Sequence, residues 1–567
     1  MAARSTSQLC RALVALATAV ALWRALIAER QVVDDLFIYL RYARNLADAG
    51  EIAFSRGEHV EGASSVAWTL VLGAAHALGL RGVGASKLLS LAAMVATPWV
   101  AALAVRRAMR GVHETSAAIE TKRTTLAVSR ALLPALPAMA LALDADFAIW
   151  GASGMDTAAW TLACVACVAL AASGRARAAS LAIGLLPWVR PEGPLLVVLG
   201  ALALVATDAR ARASRRYALT LVAIAAAPLA VLTLARLAYF HDVLPNTFYA
   251  KMRSVDGRDY TGLGYLASEL TRRPLLFLFA AFGAFGAASA RLGAARGAPA
   301  PAPAPAPAVA LALLVGVVVF ALIAQGDWMP NRRLLVPALP LAAIVVALAI
   351  DAAATTARRA SWLAAAAAVA LFVEGAATTS HALDQRWRTT EWLDRRVERW
   401  WPSARVLRDP YPLDWMPTHL LHQVAPYVAP GDTLAHVDVG ELPYVMGDVR
   451  IVDGFGLVDR EAGRVTFFAG DAARLDAARE AFFSKDPAAV IVVVDERTGR
   501  AFSPAQDAAL RDARFAARYR EIDRVPSWGD HPCITYVRND RAVASPSEAN
   551  RRIAHWLAAV PDVSPAQ

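Results

Sequence analysis

Apolar runs separated by short polar breaks fill the chain up to about residue 376, and most have the length of a bilayer-crossing helix. Runs over Ala12–Ile27, Ser86–Val105, Leu126–Ala148, Thr157–Ala172, Leu219–Tyr239, Leu275–Ala288, Ala308–Gln325, Leu334–Ile350 and Trp362–Val373 each predict a helical span. Ala178–Trp188 and Pro194–Ala206 predict a pair broken by WVRPEG. The pattern gives about eleven spans, since roughly 20 apolar residues cross a hydrocarbon core. Val66–Leu80 is apolar but short, and it is expected to lie along the interface. The basic, then apolar, N-terminus looks like a secretory signal, but it lacks a small-residue cleavage site and reads as a retained first helix.

From about Ala377 the period changes. Charged residues become frequent, Trp387, Trp392, Trp400 and Trp401 cluster, and the apolar runs shorten to strand length. TLAHVDV (433–439), RIVDGFG (450–456), AAVIVVV (488–494) and CITYVRN (533–539) alternate with helix-like stretches, the mark of an α/β domain. The expected fold is therefore a polytopic helical membrane domain over 1–376 and an extracytoplasmic α/β domain over 377–567. An Ala-Pro repeat over 297–308 is expected to be an extended tether.

Composition agrees with the pattern. Of 567 residues 57% are hydrophobic and 19% charged, and mean hydropathy is +0.40. A net charge of +10 raises nucleic acid as a partner, yet Lys and Arg on cytoplasmic loops account for it through the positive-inside rule, so none is expected. The four cysteines show no disulfide framework or zinc spacing, and Cys164 and Cys167 read as packing residues.

Charge also fixes a topology. With the N-terminus cytoplasmic and Val66–Leu80 not crossing, the basic clusters Arg106–Arg130, Arg175–Arg177, Arg210–Arg216, Arg291–Arg296 and Arg358–Arg359 all fall inside. The unusual polar segments then share the outer face: the acidic loop 30–65 with Asp34 and Asp35, then 144–160, 188–193, 240–254 and 326–337. An outward-opening active site requires such convergence.

Paired acids at a membrane rim suit a general base acting on an acceptor hydroxyl. If Asp35 begins a helix, Asp35, Tyr39 and Tyr42 share one face, and Asp34, Ile38, Arg41 and Asn45 the neighbouring one. Arg41 or Arg44 would then keep Asp34 ionised. A plain helix N-cap explains the acids equally well, and the two readings are compatible. Arg41, Arg44, Arg190, Lys251, Arg332 and Arg333 are candidates for holding an anionic lipid headgroup, in company with Glu192, Asn246, Tyr249 and Asp327. Interfacial snorkelling is the competing account of those cations. No Gly-rich phosphate loop or nucleotide fingerprint is present. His59, His76 and His241 are scattered; the outer acids could recruit a divalent cation, but none is expected.

DDLFIYLRYARNLADAGEIAF…GEHVEGASSVAWTL resembles the first external loop of polyprenyl-phosphate-dependent GT-C glycosyltransferases, closest to the arabinofuranosyltransferases that cap cell-wall arabinan. SGMDTAAW, RPEG, DVLPNTFYAK, GDWMPNRRLLVPALP and VDGFGLVD resemble further motifs of that group in the same order. SGMD carries Asp156 where relatives usually have Glu. The resemblance implies inverting transfer of a sugar from decaprenyl or undecaprenyl phosphate, without nucleotide or cofactor. It implies Asp34 as base and Asp35 as its acidic partner. It also implies that Arg190, Glu192, Asn246, Tyr249, Lys251, Asp327 and Arg333 line the donor site. The expected protein is a bacterial inner-membrane transferase, moving an arabinofuranose-like pentose onto an envelope glycan, lipid or pilin-like protein. A flippase of lipid-linked sugars is the rival reading, and it predicts opposed repeats that the sequence lacks.

Overall fold

The structure is a computed structural model that describes residues 2–28, 32–113, 132–251, 261–281 without 279, 305–353 without 328 and 330, 362–375 without 364, 368 and 371–373, 411–467, 471–527 and 531–564. Among them, Ser7–Ile27, Gly82–Met109, Arg215–Tyr239, Pro305–Ile323 and Arg333–Ala352 are long and apolar enough to cross a membrane. Leu133–Leu143 and Ala145–Ala152 make a sixth candidate, bent by 70°. The bend falls at Asp144, whose backbone is extended and whose carboxylate accepts from the Phe147 N–H at 2.8 Å, ending one helix and capping the next.

The expected eleven spans are not reached among the described residues. Thr157–Ala172, Ala176–Val189 and Gly193–Thr207 are helices of 16, 14 and 15 residues. At 1.5 Å per residue they span about 21–24 Å, short of a roughly 30 Å hydrocarbon core. Polar breaks end them early, among them Gly174 in the left-handed region and Asp208, which caps the next turn. The runs expected at 275–288 and 362–373, and the tryptophans at 387–401, lie partly or wholly outside the described residues. So does 297–304 of the Ala-Pro repeat; its remainder is helical from Pro305, because proline is tolerated in a first turn.

The chain forms two compact units, and they do not follow a single cut at 376/377. The first comprises Met1–Val32, Lys87–Leu232 and Asp259–Ala404. It is helical and packed through small side chains, as where Val14 and Ala17 meet Ala102, Ala135, Ala138 and Ala142. Gly316 lies so near Leu196 that an added Cβ would stand 2.9 Å from its side chain.

The second unit joins Val33–Ser86 and Thr233–Arg258 to Arg405–Gln567. Its strands are β1 (Tyr411–Pro412), β2 (Thr433–His436), β3 (Arg450–Asp453), β4 (Ala489–Asp495), β5 (Arg500–Ala501), β6 (Tyr519–Pro526), β7 (Pro532–Arg538) and β8 (Val563–Ser564). The main sheet runs β3-β2-β4-β7-β6, with β5 on the end of β4, and β1 pairs separately with β8. β2 pairs in parallel with β3 and β4, whereas β7 is antiparallel to β4 and β6. Helix residues Phe482, Phe483, Ala509 and Phe515 pack with Ala435, Val452 and Val490 of the strands. The protein is thus a polytopic helical membrane protein carrying a C-terminal α/β domain.

Two polar loops of the N-terminal region fold with that domain. The helix Asp35–Ala49 ends at Gly50, left-handed at φ 72°, whose N–H returns to the carbonyls of Asn45 and Leu46. Val66–Ala77 packs against it with Gly73 over Leu46. Its 12 residues are too short to cross a bilayer, consistent with an interfacial segment.

Candidate active site

Asp34 precedes the helix Asp35–Ala49 but makes no side-chain bond to that helix's own N–H groups. Its carboxylate instead accepts from the Glu441 N–H at 2.9 Å. Gly440 makes this approach possible, because a Cβ there would collide with the Asp34 carboxylate. The Asp34 side chain also shares a hydrogen bond with Asp438. Burial, then the neighbouring Asp438 and Glu441 carboxylates, hold the Asp34 carboxyl well above its ordinary range. Glu441, buried and facing Asp414 and Asp438, is pushed up to about 8. Asp34 and Glu441 therefore hold protons that isolated carboxyls would have lost, as carboxyls crowded into one low-dielectric site do.

Asp35 points elsewhere and pairs with Lys251 Nζ at 3.2 Å. Lys251 ends the short helix Asn246–Lys251, so the pair ties the acidic loop to the 240–251 segment. Tyr39 and Tyr42 share the predicted face: Tyr39 Oη lies 2.7 Å from Ser64 Oγ, and Tyr42 donates to the Val60 carbonyl at 2.5 Å.

Arg41 and Arg44 do not keep Asp34 ionised; neither makes an ion pair among the described residues. The Arg41 guanidinium, 1% exposed, donates to the carbonyls of Phe54 at 2.7 Å, Val449 at 2.7 Å, Met446 at 3.4 Å and Pro443. Arg44 donates to the Tyr444 carbonyl at 3.0 Å and lies over that ring. Both clamp the helix to the 443–449 turn, whose buried carbonyls need donors. Asn246 acts likewise, donating to the carbonyls of Gly456 and Asp459 at 2.6 and 2.9 Å. Tyr249 donates to Asp242 at 2.8 Å.

Glu192, Arg190, Asp327, Arg332 and Arg333 belong to the helical unit. There Arg190 lies between Asp156 at 3.1 Å and Glu192 at 2.5 Å, all three buried. Oε2 of Glu192, Oγ1 of Thr157 and Nε1 of Trp160 are buried without a hydrogen-bond partner among the described residues. Arg333 pairs with Asp327 at 2.8 Å and lies over Trp150. Arg332 donates to Ser268 Oγ at 2.9 Å. Asn331 and Arg332 are consecutive left-handed residues, at φ 61° and 48°, a costly turn for side-chain-bearing residues.

Sequence reasoning missed Asp438 and Glu441, which share the TLAHVDVGELPY stretch with a strand it did identify. It also missed His436, whose Nδ1 accepts from the Asp438 N–H at 2.7 Å and so fixes the backbone beside Asp34. Burial holds His436 down at about 4, hence neutral. The buried pair Arg236–Glu61, at 2.7 Å, likewise went unread. Among the described residues no group of three or more His, Cys, Asp and Glu is arranged to hold a metal ion.

A family model described as a domain of unknown function (DUF8728) matches residues 414–544, within the second unit. No curated protein matches the chain. Two crystal structures of ArnT from Cupriavidus metallidurans, one bound to undecaprenyl phosphate and one in the apo state, are similar at 14% identity and a TM-score of 0.47. The first covers 94% of this chain and 98% of its own, and the second 96% and 100%.

Proposed function

We propose that the protein is a polyprenyl-phosphate-dependent glycosyltransferase of the GT-C type, with Asp34 as the general base. The observation that carries this reading is the placement of Asp34: its carboxylate serves no cap of its own helix and lies against Asp438 and Glu441 instead. The order of motifs shared with the arabinan-capping transferases supports it from the sequence. In the reaction, an acceptor hydroxyl attacks the anomeric carbon and its proton passes to Asp34. The bond from that carbon to the phosphate oxygen breaks, and polyprenyl phosphate leaves with the electron pair. Asp35 belongs to this proposal as the acidic partner of the base, and Lys251, Arg190, Glu192, Asn246, Tyr249, Asp327, Arg332 and Arg333 belong to it as donor-side groups. An arabinofuranose-like pentose is the proposed sugar, and an envelope glycan, lipid or pilin-like protein the acceptor. The distribution of basic clusters supports a bacterial inner-membrane protein with its α/β domain outside.

The testing experiment incubates purified protein with synthetic polyprenyl-phosphate sugars and an envelope extract. Release of polyprenyl phosphate coupled to sugar incorporation is expected. Movement of lipid-linked sugar between leaflets, with no release from any donor, would replace the transferase with a flippase.

Two variants probe the base more closely. In Asp438→Asn one of the charges that raise Asp34 is gone, so the acid limb of the pH–rate profile is expected to move to lower pH. An unmoved limb would remove Asp438 from the base's surroundings. In Gly440→Ala the new methyl displaces the Asp34 carboxylate, and a misplacement of about 1 Å lowers turnover by up to 10²-fold. Wild-type turnover by that variant would show that Asp34 works from another position.

A further inference from the structure

The helix Trp415–Val424 begins on a large aromatic side chain left open: Trp415 is 48% exposed. Its ring plane is nonetheless fixed. The His419 ring, one turn along, stacks on it with centroids 5.0 Å apart and 17° between planes. His419 is held in turn by Asp523 of the edge strand β6, at 2.8 Å from Nε2, and Gln423 Nε2 lies 3.5 Å from the same nitrogen. An indole locked on one side and open to solvent, with a carboxylate and an amide beside it, offers an apolar face and hydrogen-bonding groups together.

The surroundings decide what such a face takes. An interfacial tryptophan of a membrane belt keeps company with Lys and Arg facing anionic headgroups. Trp415 stands between Asp414 and the His419–Asp523 pair, which disfavours an anionic lipid surface. A neutral sugar ring fits better, with its C–H face on the indole and its hydroxyls toward Asp523 and Gln423. The platform is also joined to the proposed base. Asp34 accepts from the Glu441 N–H, and Glu441 Oε2 accepts from the Asp414 N–H at 2.9 Å, one residue before Trp415.

We propose that Trp415, His419, Gln423 and Asp523 form a binding subsite for a neutral, hydroxyl-rich sugar ring of the acceptor. The assignment to the acceptor rests on the transferase reading; the sugar-binding surface itself does not.

The test uses full-length protein in detergent, with Trp415→Ala, Trp415→Phe and Asp523→Asn. Saturation-transfer NMR with a panel of neutral pentose and hexose oligosaccharides reads binding without catalysis. Saturation in the wild type, lost in Trp415→Ala and largely retained in Trp415→Phe, is expected. In transfer assays Trp415→Ala is expected to raise the acceptor KM by about tenfold or more, the scale of losing one well-packed aromatic anchor, with kcat and donor KM unchanged. Unchanged saturation and KM in Trp415→Ala would overturn the subsite. So would a quenching difference between wild type and Trp415→Ala in nanodiscs of brominated lipid, which would assign Trp415 to the membrane. Trp415-dependent saturation without transfer from any donor would defeat the transferase and keep the subsite. Asp34-dependent transfer with Trp415→Ala unaffected would do the reverse.

Discussion

Asp34→Asn is expected to lose sugar transfer by roughly 10²–10⁴-fold, the range for a general base, while inserting and folding as the wild type does. Asparagine keeps the side-chain oxygen that accepts from the Glu441 N–H, so the local bond survives the substitution. It removes the carboxylate that takes the acceptor's proton in the proposed reaction. The usual 0.5–2 kcal/mol lost with an N-cap is not expected, because Asp34 caps no N–H of its own helix. Relative to the wild type, the variant's stability should even rise toward alkaline pH. The folded protein holds the Asp34 proton above the ordinary carboxyl range, so it binds more protons there than the unfolded chain does. Stability from this group is therefore present below the unfolded value and is lost as pH rises through the raised one. The variant lacks that loss, and its Tm at pH 8 should equal or exceed the wild type's. Polyprenyl phosphate release and thermal unfolding across pH check both halves. Full activity would sink the base assignment, and inactivity accompanied by a lower Tm would reduce Asp34 to a structural residue.

The parts of this architecture that were legible in the sequence are those written in a periodic signal. The apolar runs located the long helices, and β2, β3, β4 and β7 fall where short apolar runs placed them. β6 was not found, because this edge strand reads YREIDRVP, in which the charged Arg520, Glu521 and Arg524 are exposed and no apolar run forms. The expected span count is not reached among the described residues for a related reason. Hydropathy over Thr157–Thr207 is continuous enough to suggest crossings, but local breaks at Gly174 and Arg190 decide helix length. The acid pair was legible as a local anomaly beside a membrane, whereas its partners were not. Asp438 and Glu441 lie some 400 residues away, inside a stretch dominated by its strand pattern. Only the fold brings Val33–Ser86 and Thr233–Arg258 together with the α/β domain, through carbonyl-seeking side chains such as Arg41 and Asn246.

Arg41 shows how a cation beside an acid pair can meet partners that its spacing did not suggest. Its spacing from the acids suggested a phosphate or an aspartate, yet its guanidinium meets four backbone carbonyls and the face of Phe54, 4.4 Å from the ring centroid. A guanidinium is suited to this because its planar fork places several donors at once and stays charged. Arg41→Ala would strip those carbonyls of their donor with no water at hand, since the side chain is 1% exposed. Hydrogen bonds to a charged donor contribute about 1.5–3 kcal/mol each, and each buried carbonyl left without a donor costs about 1–3 kcal/mol. For a unit of this size that corresponds to a fall in Tm of roughly ten degrees. Arg41→Lys should recover only part of the loss, because an ammonium cannot satisfy the same fork of acceptors. The expected signature is thus a large drop in thermal stability, with the donor KM of the surviving folded protein unchanged at low temperature. A normal Tm with a raised donor KM would return Arg41 to the phosphate-binding role. The two outcomes separate cleanly because a residue that holds the acidic helix in place acts on folding before any substrate arrives, whereas a ligand to the donor acts only once the lipid is bound.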